Sequence, residues 1–112
     1  MKSIIKEKSF KFAVRIIYLY KYLVEDKREF ILSKQLLKSG TSIGANVREA
    51  LNGESKADFV HKLSIAQKEC DETLYWLELL KETDKISQEE FESIYPDAEE
   101  ILTIIRSIII KT

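Results

Sequence analysis

Phe59, Leu63, Ala66, Cys70, Thr73, Leu77 and Leu80 recur at alternating steps of four and three residues, without interruption. A strand cannot hold that period. A helix that holds it presents one seam, and the seam is stable only when other helices cover it. Trp76 and Leu79 flank the seam and broaden it toward its C-terminal end. The rest of the chain is therefore read as the partners of this helix.

Three further segments keep 3/4 spacing. In the first, Phe10, Ala13, Ile17 and Tyr20 form the stripe, with Phe12, Ile16, Leu19 and Leu23 widening it. Tyr18, Tyr20 and Tyr22 alternate, so on a helix they point in three directions and at least one belongs to an edge or an interface. In the second, Leu36, Gly40, Ile43, Val47 and Ala50 share a stripe, with Leu37, Gly44 and Leu51 one position over. The last carries Phe91, Ile94, Ala98, Ile101, Ile105 and Ile108, with Ile104, Ile109 and Ile110 as surplus apolar surface. Pro96 lies inside it, removes one backbone donor and predicts a kink or a break near Tyr95.

The connections are short. Glu25–Glu29 is a charged link, and Asn52–Gly53 reads as a left-handed helix stop. Ser55 with Asp58, and Ser87 with Glu90, are spaced as capping boxes. The spacing predicts helices over roughly 3–24, 30–51, 56–82 and 88–110. Together they make one all-α domain over residues 1–112, an antiparallel up-down-up-down four-helix bundle.

Gly40 and Gly44 stand one turn apart inside a predicted helix, where each costs roughly 1 kcal/mol relative to alanine. They read as a notch into which another helix backbone packs.

Charge is unevenly spread. Residues 1–62 carry 13 Lys/Arg against 7 Asp/Glu, and residues 63–112 carry 5 against 12. Basic helices packed beside acidic ones, within a subunit or between subunits, account for this. A nucleic-acid surface is the other reading, and its candidate residues are Lys8, Lys11, Arg15, Lys34, Lys38 and Arg48. No segment approaches the ~20 apolar residues that cross a bilayer. The N-terminal residues lack the apolar run and cleavage site of a leader, and the single Cys70 excludes an internal disulfide. A cytoplasmic location without membrane attachment is the expectation.

Catalytic chemistry finds little support. A di-metal bundle site needs two Glu-x-x-His motifs, and only Asp58-x-x-His61 comes near that spacing. Zinc needs several Cys and His, of which there is one each. On one straight helix His61 and Cys70 lie ~13 Å apart along the axis, too far to pair. Gly40-x-x-x-Gly44 lacks the Lys-Ser/Thr of a phosphate loop. No catalytic, cofactor-binding or metal-ligating residue is assigned, and no cofactor is expected. One polar grouping remains: Ser39, Ser42, Asn46 and Glu49 on the second helix, with Lys62, Glu69 and Trp76 on the third. It is a register-fixing network or subunit contact, or else a recognition surface.

Ser39-Gly-Thr-Ser-Ile-Gly-Ala-Asn46, Arg48-Glu-Ala50, Asp58-Phe59, Lys68-Glu69, Glu72-Thr73 and Tyr75-Trp76-Leu77-Glu78-Leu79-Leu80 carry a resemblance across nearly the whole chain. It resembles the four-helix bundle proteins related to the 23S ribosomal RNA intervening-sequence protein. That resemblance implies an antiparallel bundle that assembles as a ring-shaped homopentamer. Related bundles accompany retroelement reverse transcriptases and bind nucleic acid through basic surfaces, whereas this chain has an isoelectric point near 5.9. The expectation is a non-enzymatic, self-associating scaffold or adaptor whose main partner is itself. The alternative is an RNA- or DNA-binding accessory module that uses a basic patch on an oligomeric ring, with nucleic acid or a nucleic-acid enzyme as partner. A third reading makes Glu49 or Glu69 a general base, which requires a pocket and a raised pKa.

Overall fold

A computed structural model describes residues 3–112. The helices are α1 (Ile4–Glu25), α2 (Leu32–Leu51), α3 (Lys56–Glu82) and α4 (Gln88–Lys111). Short links make sequential helices antiparallel, and α4 returns to lie beside α1. The diagonal pairs, α1 with α3 and α2 with α4, stay apart. The 44 Å long axis is close to the ~40 Å that 27 helical residues span. The protein is thus an all-α four-helix bundle.

Every position of the α3 seam except the half-buried Phe59 is buried. Its two polar members are satisfied locally. The Thr73 hydroxyl lies 2.8 Å from the Glu69 carbonyl and 2.9 Å from the Ser39 hydroxyl of α2. The Cys70 thiol donates to the Ala98 carbonyl of α4. On α2, Leu36, Gly40, Ile43, Val47 and Ala50 are all buried.

Gly40 and Gly44 both face α1. A Cβ on Gly40 would stand 2.7 Å from Cγ1 of the fully buried Ile16. One on Gly44 would stand 3.3 Å from the Ser9 carbonyl oxygen, part of the α1 backbone. The helices approach closely because neither position carries a side chain.

The structure corrects the reading of α1. Its core face is Ile5, Ser9, Phe12, Ile16 and Leu23, of which Phe12, Ile16 and Leu23 were expected only to widen the stripe. Phe10 and Ile17 of the expected primary stripe point outward, 56% and 41% exposed. Both faces are apolar, so spacing alone does not rank them.

The helix ends also differ from expectation. Helix α2 starts at Leu32, because the Glu29 carboxylate accepts from the backbone N–H groups of Ile31, Leu32 and Ser33. A residue of the charged link therefore caps a helix whose own N-cap, Ile31, has no capping side chain. Asn52 and Gly53 are not left-handed; the positive-φ residues are Arg28 and Asp84. Gly53 is instead needed for space, since a Cβ there would meet the Ala50 carbonyl and the Asp58 carboxylate, each at 3.0 Å. Ser87 and Glu90 form a complete capping box, while Ser55 caps without a return bond from Asp58.

Helix α4 runs without a break through Pro96. The ring removes one intrahelical donor and crowds the preceding turn. In that turn the Ser93 carbonyl accepts a 2.9 Å bond from Arg15 Nη1 of α1, so a neighbouring helix supplies a donor beside the proline.

Two stability changes are expected in urea unfolding. Gly44→Leu forces a branched side chain against the α1 backbone and lowers stability by about 1–3 kcal/mol; an unshifted midpoint would contradict the close approach. Asp84 closes α3 at φ 58°, with Lys85 N–H bonded to the Leu80 carbonyl and its own N–H to that of Lys81. Asp84→Gly relieves the left-handed penalty and raises stability by about 0.5–1 kcal/mol.

Candidate functional site

The six candidate cations do not form one patch. On the α4 side of α1, Arg15 holds Asp97 through Nη1 at 2.6 Å and the Ser93 hydroxyl through Nη2 at 2.8 Å. Lys8 pairs with Glu100 at 3.0 Å, and Lys11 lines the same groove. Arg48 lies on the opposite flank of α1, its guanidinium 5.8 Å from the centre of the Phe10 ring. Lys34 and Lys38 stand exposed on α2. Acidic α4 thus answers two of the three α1 cations, and the α2 cations lie elsewhere. Net charge along the sequence could not reveal this, because the pairing joins residues some 80–90 positions apart.

The polar grouping flanks the α2–α3 seam, but most of its bonds are local. Ser42 donates to the Lys38 carbonyl and Asn46 to the Ser42 carbonyl, both within α2. Trp76 Nε1 donates to Glu72 one turn earlier on α3. Two members reach across the seam: Ser39, to Thr73, and Glu49, to Lys62 at 2.9 Å, a bond that raises the Lys62 pKa. Glu69 is half-buried, and desolvation raises its pKa, with help from Glu72 and opposition from Lys38 and Lys68. Of these two links, the Ser39–Thr73 hydrogen bond is the buried one.

Sequence reasoning passed over two arrangements. Tyr95 of α4 donates to Glu78 of α3 at 2.6 Å, and burial followed by this bond pushes the phenol pKa up. A cleft of about 490 Å³ opens between the C-terminal half of α1 and the start of α4. Tyr18 and Tyr22 stand on one wall, and Glu89 and Glu90 on the other. The alternating tyrosines were the only signal for it in the sequence.

Reactive groups are few among the described residues. No three His, Cys, Asp or Glu side chains converge as metal ligands. Cys70 is buried, and desolvation pushes its thiol up to about 12, so it remains protonated at neutral pH. Among the described residues no helix is long and apolar enough to cross a membrane.

This geometry defines an antiparallel bundle whose conspicuous features lie on its helix flanks. The model of the 23S rRNA-intervening sequence protein family matches residues 1–107, and the chain belongs to that family. It is similar to a solved structure from Bacteroides thetaiotaomicron, described as a protein with unknown function from the S23 ribosomal protein family. The two are 57% identical, with 97% of this chain and 96% of that chain covered and a TM-score of 0.95. No curated protein matches.

The raised pKa of Glu69 predicts a pH effect. The folded state binds the proton more tightly than the unfolded state, so stability falls as pH rises from the unfolded carboxyl pKa through the folded one. Glu69→Gln removes that loss. The variant should be the more stable at neutral pH, and its advantage should fade as the pH drops to about 4. Parallel urea midpoints at pH 7 and pH 4 check this, and an equal offset at both would contradict it.

Proposed function

We propose that this protein is a non-enzymatic scaffold that associates with copies of itself. One observation carries the reading: Phe10, Val14 and Ile17 lie at helical spacing on the outward face of α1 and are 56%, 37% and 41% exposed. Arg48 of α2 lies over the Phe10 ring, and Leu51, 44% exposed, lies one turn further along α2. An apolar stripe facing away from the core marks an interaction surface.

A second copy fits as the occupant. The half of the chain that carries this stripe is net basic, and the half that forms α3 and α4 is net acidic. A contact between the basic half of one copy and the acidic half of the next is heterologous, and such contacts form rings when the rotation closes and filaments when it does not. A ring of five is the form that the family resemblance favours. Nucleic-acid binding draws less support, because Lys8 and Arg15 already pair with Glu100 and Asp97.

Light scattering at tens of micromolar should give a multiple of the 13.1 kDa chain, five-fold for the closed ring. Phe10→Glu with Ile17→Glu should reduce it to a monomer with unchanged helical circular dichroism. A parent protein that is already monomeric would overturn the reading. Uptake of a mixed RNA pool at low salt, lost steeply as salt rises, would instead favour the nucleic-acid module.

A further inference from the structure

The α1–α4 side of the bundle is the least tightly packed of its four seams, and the cleft lies along it. Its floor is apolar: Leu19 from α1, with the buried Ile86 and Ile94. Tyr18 and Tyr22 are one turn apart, so their rings share the α1 wall, and Tyr18 is 67% exposed. Across from them, Glu89 and Glu90 occupy the first turn of α4. The positive end of the helix dipole favours their ionised forms. Glu90 spends one oxygen on the Ser87 N–H, and the Glu89 carboxylate makes no hydrogen bond or ion pair among the described residues. Arg15 closes one end, but its charge is already met by Asp97.

Two aromatic faces, two carboxylates and an apolar floor complement a cation on a short aliphatic stem. An anion would meet the carboxylates. A neutral chain would gain the floor and at most a neutral hydrogen bond from the walls, weaker than a charge-assisted one. The tyrosine wall already attracts an ammonium: Lys27 Nζ stands 5.9 Å from the centre of the Tyr22 ring. The cleft lies on the flank of α1 away from Phe10 and does not depend on self-association.

We propose that this cleft binds a primary alkylamine, with its ammonium between the tyrosine rings and Glu89 and its stem over Leu19 and Ile94.

The test is an amide chemical-shift titration with n-pentylamine at neutral pH, with 1-pentanol and sodium chloride as controls. Saturable shifts should gather at residues 18–22 and 86–94. Glu89→Gln should weaken binding about three- to fivefold. Tyr18→Ala, at a largely exposed position, is a second weakening variant if Glu89→Gln disturbs the helix start. Equal shifts from pentanol, or from sodium chloride at matched ionic strength, would overturn the proposal, as would indifference to these substitutions. An apparent affinity that falls as protein concentration rises would overturn it too, because a basic side chain of a second copy would then be the occupant.

Discussion

At Gly40 and Gly44 the α2 backbone comes so close to α1 that a side chain on either residue would press on Ile16 or on the Ser9 carbonyl. Much of the bundle depends on that approach. It seats Ile16 and Phe12 in the core and leaves only a small residue, Ser9, where the backbones are nearest. It also turns Phe10, Val14 and Ile17 toward solvent. The two glycines weaken α2 as an isolated helix, and burial of the α1 core face against the notch offsets that cost. The outward apolar stripe is thus a consequence of how α1 docks on α2.

The four seams are held together differently. Between α2 and α3 the contact is close-packed and buried, with Ser39 and Thr73 satisfying one another inside it. Between α3 and α4, the Cys70 thiol bonds to the Ala98 carbonyl in the core, and Tyr95 meets Glu78 at the rim. The α1–α4 seam has Phe12 and Ile101 at its base, but its polar closure is a set of partly exposed bonds from Lys8 and Arg15. Exposed ion pairs contribute about 0–1 kcal/mol each, less than burying one large aliphatic side chain. This side is accordingly the one that opens into a cleft. Arg15 has a further role there, since it bonds the Ser93 carbonyl in the turn that Pro96 crowds.

Charge is organised to match. Basic α1 lies against acidic α4, which uses part of the charge separation within one chain, and Glu49 with Lys62 uses a little more across α2 and α3. Lys34 and Lys38 on α2, and Glu89 with neighbouring acids on α4, remain at the surface. Those unspent charges and the α1 stripe are the features on which the proposed self-association rests. The separation of the cations into two regions is what weakens the case for a single nucleic-acid patch.

The sequence by itself determined the four helices, the heptad seam of α3, the buried stripe of α2 and the capping box at Ser87. Each of these is written in spacings of three and four residues within one element, where the local period dictates what shares a face. Tertiary structure alone decided which apolar face of α1 became the core, because Phe10 and Phe12 both belong to acceptable stripes until α2 selects one. It decided that Glu29 rather than a neighbour of Leu32 starts α2, and that Asp84 rather than Gly53 takes a left-handed conformation. It also decided that Lys8 and Arg15 meet acids of α4, and that Tyr18 and Tyr22 line a cleft with Glu89 and Glu90. The physical reason is common to all of these. A helix specifies its own faces, but which face is buried and which charge is answered depends on how closely another helix can approach, and distant residues set that approach.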